Sequence, residues 1–198
     1  MHDTAISFYN TILKCEEYVT ASPDLPEGYR IVPYRPGFED DWARLECEEG
    51  DFEDEKEAAD YFREKYLRDG CREDLLFLLE PTGKVIGSCI AWTDDRNGVP
   101  VNSLHWLILD ERYRGKKLGR ALCIAVMDRF SQKGGGPVYI HTQPWSWKAI
   151  LLYSSLGFRL QKSDTFGTYI NQYQEAVETL KQILSEEQIG KLEDEAVE

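Results

Sequence analysis

The sequence predicts an α/β (α+β) fold, and three observations lead there. Ser103-Leu-His-Trp-Leu-Ile-Leu109 is an apolar run of β-strand length, closed by Asp110 and Glu111. A glycine-containing basic turn follows, after which Leu118, Leu122, Ala125, Val126 and Phe130 recur at helical spacing until Gly134-Gly-Gly-Pro137. Two more apolar runs, 74–80 and 84–93, are joined by Pro81-Thr-Gly83 as in a hairpin. Strands and helices therefore alternate along a single chain.

The remaining elements follow in order. Ala5, Phe8 and Ile12 have helical spacing, which predicts an N-terminal helix over residues 4–18, and Ser22-Pro-Asp-Leu-Pro-Glu-Gly28 reads as a linker. Tyr29 to Tyr34 is predicted as the first strand, ended by Pro36-Gly37. Two helices come next, 40–49 and 54–68, the second with Ala58, Phe62 and Tyr66 on one face. Beyond Pro137, a strand is expected at Val138 to Thr142, a helix from about Ser146, a strand at 159–162 and a last helix at 169–184. Residues 185–198 read as an acidic, disordered tail.

Length and composition agree with one domain over residues 1–198, with a core of about 28–165. The chain has 198 residues, 42% of them hydrophobic, enough for a sizeable core, and no internal repeat. Cys15, Cys47, Cys71, Cys89 and Cys123 are scattered and odd in number, without CxxC spacing, so neither a disulfide framework nor a zinc site is indicated. No N-terminal apolar stretch reaches the length of a signal peptide or a membrane span. The expectation is a cytoplasmic protein that binds no metal and no membrane, its oligomeric state open and a dimer possible.

Against a net charge of -13, the nine residues Arg112 to Arg120 carry five of the 23 basic side chains, together with Gly115 and Gly119. Placed at the mouth of a helix, such a turn is either a solvated cap or an anion site. Glycines admit a ligand close to the backbone, unpaired first-turn amides point at it, and the helix dipole favours negative charge. The spellings of a nucleotide P-loop, GxxxxGK[ST], and of a dinucleotide loop, GxGxxG, are absent.

Arg114 to Gly119 does resemble motif A of the GNAT (GCN5-related) N-acetyltransferase superfamily, whose RxxGxG/A turn holds the pyrophosphate of acetyl-CoA. In this sequence Lys117 stands where the family has the middle glycine. Some 30 residues on, Ala149, Leu152, Tyr153 and Leu156 followed by Gly157-Phe158 resemble its motif B, AxxLYxxxGF. The resemblance implies a mixed, mostly antiparallel sheet flanked by helices, here with extra N-terminal and C-terminal helices. It also implies acetyl-CoA as cosubstrate, without a metal. The cofactor-binding residues it implies are Leu107, Ile108 and Leu109 by main chain in a gap between splayed strands, and Arg114, Gly115, Lys116, Lys117, Leu118, Gly119 and Arg120 around the pyrophosphate. Ser146 stands where many members carry an asparagine touching the pantetheine arm.

The reaction implied is direct attack of an amine on the thioester in a ternary complex. An alkylamine is mostly protonated at neutral pH, so a base has to take its proton. Strand alternation places Ser103, His105 and Leu107 on one face, and arylalkylamine acetyltransferases are similar in carrying a histidine two residues before the matching leucine. His105 is thus the candidate base, or else a packed core histidine. By resemblance Tyr153 would protonate the departing thiolate; the alternative is a core tyrosine.

The acceptor is less legible. Residues 39–57 hold 11 acidic side chains against Arg44 and Lys56, either an attractive wall for a cationic small-molecule amine or a solvated face. Trp92, Trp106, Trp145 and Trp147 are candidates to hold a cation or ring. A protein or peptide amine as acceptor, and a non-catalytic acyl-CoA-binding regulatory module, remain the other readings. One basic turn on an acidic chain does not suit nucleic acid.

Overall fold

The computed structural model describes residues 5–18, 21–67 and 71–198. Among the described residues seven strands, β1 (Thr11–Cys15), β2 (Arg30–Pro33), β3 (Leu75–Leu79), β4 (Val85–Arg96), β5 (Val99–Leu109), β6 (Val138–Thr142) and β7 (Arg159–Leu160), lie in the order β2-β3-β4-β5-β6-β1-β7. The α-helices of the described residues are α1 (Phe38–Glu49), α2 (Glu55–Tyr66), α3 (Leu118–Gln132), α4 (Trp147–Ser155), α5 (Tyr173–Leu180) and α6 (Glu186–Asp194). The sheet is mixed and mostly antiparallel, as expected. β5 and β6 are parallel at Asn102↔Val138 and Ser103↔Tyr139, with α3 as the crossover between them in sequence.

The described residues fall into two compact units, one within Thr20–Trp92 and Leu104–Gly135, the other within His2–Val19, Thr93–Ser103 and Gly136–Glu198. In the first, β2 and β4 pair antiparallel with β3, and α1 packs on α2. Its core joins Trp42, Leu45, Phe62, Tyr66, Phe77 and Ile108. Asp54 caps α2 by accepting from the Glu57 amide, and Arg63 and Lys65 sit in its last turn, where the dipole favours cations. Gly87 is obligatory, because a Cβ there would stand 2.7 Å from the Ile108 carbonyl oxygen. That close approach brings β4 against the end of β5.

In the second unit β1 lies antiparallel between β6 and β7. Here the N-terminal helix expected over residues 4–18 is corrected. Residue 4 lies outside the described residues, and Thr11–Cys15 is a strand whose Ile12, Leu13 and Cys15 are buried. The helical spacing of Ala5, Phe8 and Ile12 was weaker than two ready-made strand edges that hydrogen-bond the backbone.

The C-terminus needs the same correction. Residues 186–194 form α6, opened by a capping box in which the Ser185 hydroxyl and the Gln188 side chain each bond the other's backbone N–H. Ile189 and Leu192 are buried, and the Val197 amide donates to the Leu160 carbonyl. The acidic tail is therefore ordered structure, and the capping box was its overlooked signal. The helix expected at 169–184 is shortened to α5. β5 begins earlier than its apolar run, because Asn97 (φ 54) and Gly98 (φ 83) make the left-handed turn that joins it to β4.

All five cysteines are free thiols. Among the described residues no helix is long and apolar enough to cross a membrane, and no group of three or more His, Cys, Asp or Glu could hold a metal ion.

Candidate active site

The basic turn lies exposed between β5 and α3 in the first unit. A short 3-10 turn, Glu111–Tyr113, leads into it, with Asp110 accepting from the Arg112 amide. Gly115 has φ 80, and a Cβ built there would meet nothing within 4 Å, so the turn is open on that side. Lys117 takes the left-handed conformation with φ 61 and makes no side-chain cap on α3. A lysine in place of glycine therefore preserves the glycine-like backbone, at the strain a non-glycine residue carries there. The first-turn amides of a helix of 15 residues are left without a side-chain acceptor at its N-cap, which suits an anion.

The cations of the turn are engaged differently. Arg112 is held by Asp110, its Nε 2.9 Å from Oδ1, and this pair keeps the Asp110 carboxyl below its usual range. Arg112 is thus structural. Arg114 reaches Glu49 on α1 (2.7 Å) and Glu111 (3.6 Å). Lys116 lies 5.2 Å over the ring of Tyr113, while Leu118 is buried and anchors α3. A cleft of about 300 Å³ adjoins the turn, lined by Leu45, Glu48 and Glu49 of α1 with Ile108, Leu109 and Asp110.

β5 is not regular where the chemistry was expected. Trp106 has φ 49, a left-handed conformation rare for a bulky residue and disruptive of strand alternation. His105 Nε2 lies 3.1 Å from the Tyr66 hydroxyl. The simple alternation that grouped Ser103, His105 and Leu107 thus breaks at Trp106, and Ser103 is buried with no hydrogen-bond partner for its hydroxyl.

Around His105 the rings of Trp92, Tyr66 and Trp106 stand at 6.2, 6.1 and 5.9 Å between centroids. Trp106 in turn contacts Trp42, Phe52 and Tyr61. Tyr66 is fully buried, and that burial raises its phenol far above the ordinary range, so it stays neutral. Glu46, one turn after Trp42 on α1, is likewise buried. Burial and the neighbouring Asp51 and Glu49 hold its carboxyl protonated well above the usual carboxylate range. Glu46 Oε1 and the Trp42 indole nitrogen have no hydrogen-bond partner. Sequence reading singled out Trp92, Trp106 and His105 here but missed Tyr66 and Glu46, which looked like ordinary members of a helical face and an acidic run.

Ser146 and Tyr153 belong to the second unit. Ser146 ends a short 3-10 turn begun by Pro144 and leads into α4, its hydroxyl 3.4 Å from Gln143 Nε2. Tyr153 is 5% exposed on the buried side of α4, with its ring 6.0 Å from Phe158. Gly157 follows with φ 98, which turns the chain from α4 into β7.

The model of the Acetyltransferase (GNAT) family matches residues 39–158. A mycothiol acetyltransferase of Saccharomonospora viridis is 30% identical over 155 residues, which cover 72% of this chain and 49% of that protein. A glucosamine 6-phosphate N-acetyltransferase of Trypanosoma brucei brucei is 31% identical over 87 residues, covering 42% of this chain and 57% of the other. Among solved structures, a GCN5-related N-acetyltransferase from Sphaerobacter thermophilus has the same fold, with a TM-score of 0.60 at 19% identity over 78% of this chain and 49% of that one. The chain spans about half the length of the mycothiol acetyltransferases it matches.

Proposed function

Since this chain belongs to the acetyltransferase (GNAT) family, we propose that it transfers an acetyl group from acetyl-CoA to the nitrogen of a small cationic amine. The observation that carries the choice of acceptor is the charge state of α1 and α2. Their acidic side chains outnumber the cations, and each cation is already engaged. Arg44 is held by Asp41, Glu48 and the Val85 carbonyl, Lys56 by Asp60, and Arg63 by Glu39, Asp40 and Asp60. Lys65 lies over the Trp92 ring. An ammonium is attracted to such a surface, and a phosphorylated amino sugar is repelled by it.

The open turn at Gly115 and the uncapped N-terminus of α3 fit the pyrophosphate of the cosubstrate. Arg114, Lys116, Lys117 and Arg120 would add positive charge, with Leu118 and Gly119 contributing first-turn amides. Acetyl-CoA, when bound, supplies the acyl group as an activated thioester. Leu107, Ile108 and Leu109 offer main-chain groups to the pantetheine arm, and Ser146 a hydroxyl. The Leu107 amide is the proposed donor toward the oxyanion, at a point where developing charge benefits from a fixed dipole. His105 takes the amine's proton, and Tyr153 returns one to the leaving sulfur.

The test is acetyl transfer from acetyl-CoA, read as thiol release, over polyamines, arylalkylamines, amino sugars and amino sugar phosphates at rising salt. The reading expects cationic amines to react, with salt raising their KM and leaving kcat unchanged. Exclusive use of phosphorylated amino sugars overturns the choice of acceptor. Absence of heat on titrating CoA to millimolar concentration overturns the donor. Unchanged turnover in His105→Ala overturns the base.

A further inference from the structure

We propose that Phe52, Tyr61 and Trp106 form the surface on which the body of the acceptor rests, and that this surface selects an arylalkylamine, a primary amine joined to an aromatic ring by a short alkyl chain. The inference rests on the reading of the acceptor as a small cationic amine and names the class within it. The three rings come from three places in the first unit: the loop between α1 and α2, α2 itself, and β5. Their centroids stand 5.4 Å (Phe52 to Tyr61), 6.1 Å (Phe52 to Trp106) and 6.2 Å (Tyr61 to Trp106) apart. Trp42 of α1 is fully buried beneath them, 5.8, 6.4 and 5.4 Å from Phe52, Tyr61 and Trp106 in turn.

These are the contact distances of packed aromatic pairs, so the cluster is filled and offers a surface, not a cage around a cation. The surface meets water: Tyr61 is 36% exposed, and Phe52 and Trp106 are half-buried. Phe52 and Trp106 are nearly parallel, at 28°, while Tyr61 is tilted across both, at 52° and 62°. A ligand ring extends the near-parallel pair by offset stacking and meets Tyr61 edge to face, the two arrangements that aromatic pairs prefer. A saturated chain gains only the area it covers.

Charge and continuity say what else the ligand carries. Asp51, Glu53 and Asp54 share the loop with Phe52, and helical spacing sets Glu57 and Glu64 beside Tyr61. Lys65, also beside Tyr61 by spacing, has its ammonium over the Trp92 ring instead. Such a border draws a cation to the edge of the rings. Trp106 directly precedes Leu107, the proposed oxyanion donor, and its ring stands 5.9 Å from that of His105, the proposed base. The left-handed Trp106 holds its indole against Trp42, Phe52 and Tyr61, so the ring surface continues into the reaction centre. An acceptor ring seated there needs only a short chain to bring its amine to the thioester. A polyamine would match the carboxylates and leave the rings uncovered; an arylalkylamine matches both.

The experiment is acetyl transfer from acetyl-CoA by the full chain to phenethylamine, to cyclohexylethylamine, which has the same chain and charge but a saturated ring, and to putrescine. Phenethylamine is expected to exceed cyclohexylethylamine about fivefold or more in kcat/KM, and putrescine by a wider margin. The ratio between the two ring amines should shrink in Phe52→Leu and in Tyr61→Leu, which keep apolar volume and remove a ring, and should vanish in the double variant. Calorimetric titration of CoA verifies that each variant is folded, and the native ratio needs no variant at all. Equal use of the two ring amines, a preference for putrescine, or a ratio indifferent to the double substitution overturns this inference and leaves the wider acceptor reading standing. Transfer to no small amine overturns both together.

Discussion

Arg114 and Glu49 form an ion pair, with Nη2 2.7 Å from Oε2. The arginine that matches the pyrophosphate-holding position of the family is thereby bound to the last residue of α1. A phosphate arriving at the turn has to compete with a carboxylate for this guanidinium. Both side chains are about one-third exposed, so the pair is weak, of order 0.2–1 kcal/mol.

Glu49→Gln is accordingly expected to tighten CoA binding by about two- to fivefold, the equivalent of that pair. Arg114→Ala should weaken binding by about tenfold or more, because a charge-assisted contact is lost. Calorimetric titration of CoA into each variant checks both. Weaker binding by Glu49→Gln would mean that Glu49 supports the turn and does not compete with the ligand.

Tyr153→Phe is expected to lower turnover about tenfold or more with little change in acetyl-CoA affinity. Phenylalanine keeps the packing against Phe158 and removes only the proton to be donated. Steady-state kinetics combined with direct titration of CoA separates the two effects. Parallel loss of affinity and turnover would assign Tyr153 to packing.

Glu46 makes stability fall as pH rises. Its folded carboxyl keeps a proton that the unfolded chain releases near 4.5, so the unfolded state gains above that pH. Glu46→Gln resembles the protonated acid and can still donate to Asp51. It is expected to stabilise the protein at pH 7 by about 1 kcal/mol or more, some 2–4 °C in Tm, with the gain vanishing toward pH 4. Thermal melts of both proteins across that range decide it.

His141 works in the opposite direction. Half-buried against Tyr169, its ring stacked at 3.7 Å, and with Nε2 2.9 Å from Asn10 Oδ1, it is pushed down to about 4 by the loss of solvent around it. The unfolded chain takes up a proton near 6.5 and the folded one resists until about 4, so stability falls as pH drops through that window. The loss is on the order of 3 kcal/mol. His141→Gln should flatten the Tm profile between pH 6.5 and 4.5, above the range where Glu39, Asp110 and Asp164, all held low in the fold, begin to titrate.

Local chemistry was legible in the sequence wherever it was autonomous. The strand–turn–helix around Arg114 to Arg120, the hairpin turn at Pro81 to Gly83 and the helices at Ala58, Phe62 and Tyr66 follow from period, charge and turn residues acting within a few positions. So does membership of the acetyltransferase family, because motifs A and B are contiguous spellings. The tertiary structure alone decided that Thr11–Cys15 is a strand, since its partners β6 and β7 lie more than 100 residues away. It also decided that His105 meets the hydroxyl of Tyr66, which stands 39 residues earlier in the chain. Strand alternation assumes regular backbone, and one left-handed residue cancels that assumption without any mark in the letters. Which cations are spent and which carboxyl stays protonated depends in the same way on distance and burial, quantities that exist only once the chain has folded.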